Sequence, residues 1–294
     1  LPTRVIDVGD KMDQTTVRLV ETHGTRNNYA ALSHCWGPPN KQPLRTVKAT
    51  FQQHLLGISL SQLPKTFRDA VAIARLVKLR YLWIDSLCII QDDLEDWTKE
   101  APCMGQLYNR AHLVIAASGA RDSSEGCFIQ RLAPRSSIAI PFKREGSAPN
   151  GHVWLNTADD GAVGPHSEPL AKRGWVLQEW ALARRLVHFT AKGMMWFCLE
   201  MDESTMCEDG TLAAGNKLSN WDGIIEEFTA RQLTYLTDKL VAVEGIAGEM
   251  KSSREDQYAS GVWTGELPQQ LFWIGRDTQR PPELNMLPSW SWAS

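Results

Sequence analysis

Two carboxylates, Asp85 and Glu100, are the side chains of this chain whose types and placement best suit chemistry. Asp85 ends an apolar strand-like run, Tyr81 to Ile84, and Glu100 lies in the amphipathic segment after the acidic run Asp92, Asp93, Glu95 and Asp96. In α/β proteins, the place where a strand gives way to a helix is the edge of the sheet that receives ligands. Carboxylates there suit acid–base or electrostatic work on a bound molecule. Each has a structural alternative. Asp85 fits a helix N-cap or a staple to backbone amides around Cys88. Glu100 fits a helix N-terminal carboxylate favoured by the dipole, or a buried partner for an arginine. The acidic run reads as a solvated face, with Asp93 kept as a binding candidate.

Two further segments carry candidates. Tyr29 to Gly37, YAALSHCWG, reads as a short buried strand that delivers Ser33, His34, Cys35 and Trp36 to a turn. Trp36 offers an indole face on which a base could stack, or a side chain for the core. Successive strand residues point to opposite faces, so His34 is poorly placed to activate Cys35 as a nucleophile. Downstream, Gln178 and Glu179 follow Arg173-Gly174-Trp175. Glu179 either pairs with Arg173, Arg184 or Arg185, a buried arrangement that is costly unless fully satisfied, or completes a pocket opposite Glu100.

These side chains must be held by regular elements. Pro64 suits a first helical turn, and Phe67, Val71, Ala74 and Val77 recur at helical spacing, which predicts an amphipathic helix over 64–79. Residues 38–62 form a polar connection with a short helix around 51–56. Trp97, Ala101, Met104, Tyr108 and Ala111 fall on one helical face, with Glu100 at its edge, about 60° away. Pro102 is compatible only with a helix that starts near Thr98. Leu113 to Ala117 is another buried strand. Residues 29–117 thus read strand–helix–strand–helix–strand, which argues for a parallel, three-layer α/β sheet. Ligands then belong at the strand ends Ser33–Trp36, Asp85–Cys88 and Ser118.

The second half reads as a mixed α+β elaboration. Short strands are expected at 138–142 and 153–155, a helix at 175–183, two strands joined by Ala191-Lys192-Gly193, and helical structure over 218–250. The natural division is an N-terminal extension at 1–28, an α/β core at 29–200, and a mainly helical extension at 201–294 packed on it.

The composition narrows the function. The 294 residues are 43% hydrophobic, with a net charge of −3, which fits a folded protein and gives no broad basic face for nucleic acid. No apolar run approaches membrane-spanning length, and the first residues lack the pattern of a signal peptide. The six cysteines include no CxxC pair and read as reduced thiols of a cytoplasmic protein. No Asn-x-Ser/Thr acceptor is present. The seven histidines show no metal-ligand spacing, and no glycine-rich dinucleotide or phosphate loop, HExxH or GxSxG occurs. No metal or cofactor is expected. Twelve tryptophans, several in short polar motifs, suggest a ring of indoles near the site.

With these residues in view, the chain resembles the fungal heterokaryon incompatibility (HET) domain. YAALSHCWG, LPKTFRDAVAIARLVKLRYLWIDSLCIIQDD, DWTKEAPCMGQLYNRAHLVIAAS and RGWVLQEWALARR carry the resemblance, with LTDKLVAVEGIAG and LPSWSWAS downstream. It covers nearly the whole chain, and the combination is specific; Pro102 departs from the pattern, where an ordinary helix former is expected. The resemblance implies a fungal cytoplasmic protein of non-self recognition and programmed cell death, akin to innate immunity. It also implies a distant likeness to TIR domains, with a flavodoxin-like sheet carrying helices on both faces. Some TIR domains cleave NAD+ at the nicotinamide–ribose bond with a helical glutamate closely following a tryptophan. Trp97 and Glu100 have that shape.

Carried over, the resemblance makes Glu100 the group that holds a ribose hydroxyl and stabilises an oxocarbenium-like transition state; Asp85, at its strand end, is placed to bind ribose or orient a water. Ser33, Trp36, Asp93, Trp97, Gln178 and Glu179 then line the substrate. NAD+ enters as substrate, not cofactor, and self-association and a recognition partner protein are implied. Three functions stay open: an NAD+ glycohydrolase, a signalling module that self-associates without turnover, and a small-molecule enzyme using the same acidic pocket.

Overall fold

Four short apolar runs of strand-forming residues build the centre of the molecule. In the computed structural model, residues 1–9, 15–130, 138–142, 151–155, 164–200, 204–207, 212–214, 220–275 and 280–294 are described. The strands are β1 (Arg4–Asp7), β2 (Thr16–Glu21), β3 (Tyr29–Ser33), β4 (Ile58–Ser59), β5 (Tyr81–Trp83), β6 (Leu113–Ala116), β7 (Ile138–Phe142), β8 (Gly151–Leu155), β9 (Arg185–Thr190), β10 (Gly193–Cys198), β11 (Ser204–Cys207), β12 (Leu212–Ala214), β13 (Tyr258–Ala259) and β14 (Val262–Trp263). The helices are α1 (Lys48–Leu56), α2 (Lys65–Leu76), α3 (Asp85–Cys88), α4 (Leu94–Glu100), α5 (Met104–Arg110), α6 (Gly174–Ala181), α7 (Trp221–Thr229) and α8 (Val241–Lys251).

Ten strands form one sheet in the order β12-β11-β10-β9-β6-β3-β5-β1-β2-β4. Its centre, β9-β6-β3-β5, is parallel throughout. In chain order these strands run 2-1-3-4 from the β5 side, the order that opens flavodoxin-like sheets. The chain steps from β3 to β5, then jumps back over β3 to β6. Right-handed crossovers consequently place α1 and α2 on one face and α5 and α6 on the other. The switch in direction falls between β3 and β6, the position at which sheets of this order hold ligands at their carboxyl ends. All residues of β3 and β6 are buried, as expected for parallel strands covered on both faces.

The outer strands flank the expected parallel core as antiparallel additions, with β9 and β10 forming the pair expected around Ala191-Lys192-Gly193. β1 joins β5 antiparallel, and β10 joins β9 antiparallel. Residues 1–28 are therefore not merely appended, because β1 and β2 are members of the same sheet. Buried Arg4 ties β1 to α4: its guanidinium contacts both Asp96 carboxylate oxygens at 2.6 and 2.5 Å, and its Nε donates to Cys88 O at 2.7 Å.

The helix expected from Trp97 to Ala111 is broken. It starts earlier, at Leu94, capped by Asp93, whose side chain accepts from Glu95 N. It tightens into a 3-10 turn over Ala101–Cys103 around Pro102, and resumes as α5. Proline removes an intrahelical N–H, and the tightened turn accommodates that loss. The helix predicted over 64–79 is α2, and that over 175–183 is α6.

The C-terminal part packs a second apolar cluster onto α6: Leu177 and Leu182 meet Trp221, Phe228, Val243, Ile246, Trp263 and Trp292. Several tryptophans are spent on packing: Trp83, Trp180, Trp221 and Trp263 are almost wholly buried. The ring of indoles expected around one site is not what the fold builds. Where α5 crosses α8, Gly105 faces Gly245, and a Cβ on Gly105 would lie 2.7 Å from the Gly245 Cα. Only glycine admits that approach.

Candidate functional site

The carboxyl ends of β3 and β5 bring Ser33, His34, Trp36 and Asp85 together. Asp85 opens α3 one residue after β5 ends, beyond Ile84, and its Oδ1 accepts from Ser86 N at 2.7 Å. Its Oδ2 accepts from Trp36 Nε1 at 2.7 Å. His34 Nδ1 lies 3.6 Å from Asp85 Oδ1. The neutral form of His34 is held, because burial lowers its pKa to about 4 against the opposing pull of Asp85. Cys35, next in the chain, is no nucleophile: burial pushes its thiol up to about 11.

Helix α6 brings the second carboxylate. Its start is pinned by Gly174 N donating to Gln232 O and Gln232 N donating to Lys172 O, at 2.7 and 2.6 Å. Trp175 Nε1 donates to Asp238 Oδ2. From that anchor, Arg173 donates through Nη1 to the His34 carbonyl. One turn and a half along the helix, Glu179 is buried beside Ser33, Tyr108, Arg173 and Asp85. Burial pushes its carboxyl up to about 7, opposed chiefly by Arg173. Arg173 is thus the charge that answers Glu179, as the sequence allowed, although the two form no ion pair within contact distance among the described residues. The Tyr108 hydroxyl donates instead to Leu32 O at 3.2 Å.

The arrangement leaves buried polar atoms unpaired. Among the described residues, His34 Nε2 and Glu100 Oε1 have no hydrogen-bond partner, and Ser33 Oγ and Glu179 Oε2 make no well-formed bond, although Ser33 and Tyr108 lie close enough to Glu179 to favour its charged form. A buried polar atom without a partner costs about 1–3 kcal/mol, and such atoms gathered at one sheet edge are where a polar ligand would be held.

Glu100 sits at the carboxyl-terminal end of α4, not at a helix N-terminus, and is 6% exposed. It and Asp85 both act electrostatically on the buried Cys88 thiol. Trp97 is half-buried and packs against the main core.

Two of the expected binding residues have other work. Gln178 Oε1 accepts from Gly245 N at 2.7 Å, so the amide fastens α6 to α8. Asp93 caps α4 and pairs with Lys48 at 3.3 Å, at the surface. Of the wider acidic run, Asp96 is committed to Arg4 and to Ile90 N. Sequence reasoning placed Tyr108 only in a core stripe; its hydroxyl, at the end of an otherwise apolar face, was the signal that it reaches a polar neighbour. Among the described residues no group of three or more His, Cys, Asp and Glu side chains converges as a metal site. No described helix is long and apolar enough to cross a membrane.

No curated protein and no solved structure matches the chain significantly. A family model described as heterokaryon incompatibility protein (HET) matches residues 29–179, just over half of the chain. That span begins with β3 and ends at Glu179, so it contains every residue of the cluster at the carboxyl edge. The chain belongs to the heterokaryon incompatibility (HET) family.

Proposed function

We propose that this HET-family protein is a cell-death effector that cleaves NAD+ at the nicotinamide–ribose bond. The observation that carries the reading is the set of buried polar atoms without a well-formed hydrogen bond at the carboxyl edge, Ser33 Oγ, His34 Nε2 and Glu179 Oε2, together with the unpaired Glu100 Oε1 of α4. A nucleoside offers hydroxyls and ring heteroatoms that complete such groups.

In this reading the ribose hydroxyls donate to Glu100, which follows Trp97 by three residues on α4, in keeping with the family resemblance. As the C1′–N bond breaks, nicotinamide leaves with the bonding electron pair, and positive charge develops on the ribose. The nearby carboxylates stabilise that charge in a site shielded from bulk water. A water then adds to C1′ and its proton passes to Glu179. A carboxyl with a pKa raised to about 7 is well matched to proton exchange near neutrality. Trp36, held by Asp85, supplies an aromatic shelf. The products are nicotinamide, ADP-ribose and a proton.

A second reading is a module that signals by self-association without turnover. It is favoured by an exposed apolar set near the C-terminus: Leu271, Phe272, Trp273, Ile274, Met286 and Trp290. Self-association and catalysis are compatible if assembly completes the site.

The test is to incubate concentrated protein with NAD+ and follow nicotinamide and ADP-ribose by chromatography, with Glu100→Gln as the control. Release by the wild type, lost in a folded variant, supports cleavage. No release by a protein shown to be oligomeric turns the reading to the assembly module.

A further inference from the structure

A cavity lies on the same sheet edge as the buried cluster. It has a volume of about 740 Å³ and is bordered by Gly119 after β6 and Ala191 after β9. That is the size of a small-molecule site. Lys65, Arg121 and Lys172 line it. Lys65 is shared with Asp69 at 2.9 Å. Arg121 and Lys172 are exposed, and neither side chain pairs with a carboxylate among the described residues.

The two carboxylates of the cleft are held by backbone amides. Glu168 Oε1 accepts from Ala191 N at 3.1 Å, and Glu125 Oε2 accepts from Arg121 N at 2.8 Å. They brace the walls and leave Arg121 and Lys172 as the cations that face a ligand. Phe128, also in the lining, is 57% exposed, yet its ring is fixed edge-on against Phe189 with centroids 5.5 Å apart. A fixed aromatic face beside unpaired cations is the chemistry that receives a base and its phosphates.

The cleft adjoins the buried cluster. Lys172 lines the cleft, and Arg173, next in the chain, donates through Nη1 to the His34 carbonyl of the cluster. Asp122 is pressed against Gly37, where a Cβ would lie 2.6 Å from its own Cβ. Lys41 pairs with Asp122 at 3.1 Å. Leu170 N donates to Ser118 O, which docks the 167–172 turn on the end of β6. The cleft and the cluster thus meet along one edge through Lys172-Arg173 and the Gly37–Asp122 contact.

We propose that the cleft binds the adenosine diphosphate part of a dinucleotide, with Arg121 and Lys172 on the phosphates and Phe128 on the base. The nicotinamide riboside part then reaches the cluster of Ser33, His34 and Glu179. The assignment of the second part rests on the NAD+ reading; the phosphate site itself rests on the cleft.

Calorimetric titration of the full chain with ADP-ribose separates the two, since it needs no turnover. The wild type should bind ADP-ribose, more weakly at high salt. The double variant Arg121→Ala/Lys172→Ala should bind it about tenfold or more weakly, with adenosine binding unchanged. Phe128→Ala should weaken both ligands. These residues are exposed, so the variants keep the fold, which thermal melts verify. Equal affinity of the double variant and the wild type, or no binding of ADP-ribose by the wild type at millimolar concentration, overturns the proposal. NAD+ cleavage with KM unchanged in the double variant would overturn the cleft and leave the NAD+ reading standing. Binding lost in the variants without any NAD+ cleavage would do the reverse.

Discussion

Trp36 and Asp85 are joined across two parallel strands by a 2.7 Å hydrogen bond from the indole Nε1 to Oδ2. The other carboxylate oxygen is taken by Ser86 N at 2.7 Å and faces His34 Nδ1 at 3.6 Å. With both oxygens engaged, Asp85 acts through Trp36 and His34 as a positioning residue. Trp36→Phe keeps an aromatic ring but removes the donor. It is expected to lower kcat for NAD+ cleavage by about ten- to a hundredfold and to leave the melting temperature nearly unchanged. Steady-state kinetics beside a thermal melt check this, and an unchanged kcat would make the bond purely structural.

Glu179 should leave a mark on stability against pH. Its folded pKa, about 7, lies above the ordinary 4.5. As pH rises, the unfolded chain gives up this proton first, so stability falls between about 4.5 and 7 and is level above. Removing the titration with Glu179→Gln should raise stability relative to wild type by on the order of 3 kcal/mol across that window,. His34 works in the opposite sense: its pKa is lowered to about 4, so its contribution is lost as pH falls below 6.5. It is present in both proteins and cancels in the difference. Urea unfolding of both proteins at several pH values measures this; a pH-independent difference would show that Glu179 is not titrating there.

The pair Arg4–Asp96 ties the first strand to the helix that carries Glu100. Both side chains are largely buried, 6% and 12% exposed. Asp96→Ala strands a buried guanidinium and should cost about 3–5 kcal/mol. Deletion of residues 1–28 should do more, because it removes β1 and β2 from the sheet as well as Arg4. Chemical denaturation checks the first, and the far-ultraviolet spectrum checks the second. A fully folded, undiminished deletion variant would mean that the sheet closes without them.

The α5–α8 crossing is equally testable. Gly105→Ala places a methyl 2.7 Å from backbone at Gly245, and 3.2 Å from Leu182. The backbone contact gives way less easily than a side chain does, so a loss of about 1–3 kcal/mol is expected, read as a lowered melting temperature.

Much of the core was legible because parallel strands buried on both faces appear as short apolar runs, and because α2 repeats its apolar residues at helical spacing. Ser33, Trp36 and Asp85 could be placed because strand ends follow from those runs. Distant partners were not legible. Gln178 looks like a site residue until Gly245 is seen to donate to it. β1 looks like an extension until it pairs with β5. Pro102 warned of an irregular helix, but whether the turn would start the helix or interrupt it depends on how Asp93 and Asp96 anchor the preceding turn. The cleft beside Phe128 gave no pattern, since its cations come from three separate segments.

The central claim is that the buried carboxylates at the carboxyl edge act on a nucleotide. Its most direct test is nicotinamide release from NAD+ by the wild type, Glu100→Gln and Glu179→Gln at one high protein concentration, each variant shown to be folded by its melt. Release by the wild type with loss of about a hundredfold or more in both variants is predicted. Release that persists in both variants, or none from wild-type protein shown to be oligomeric, would contradict it.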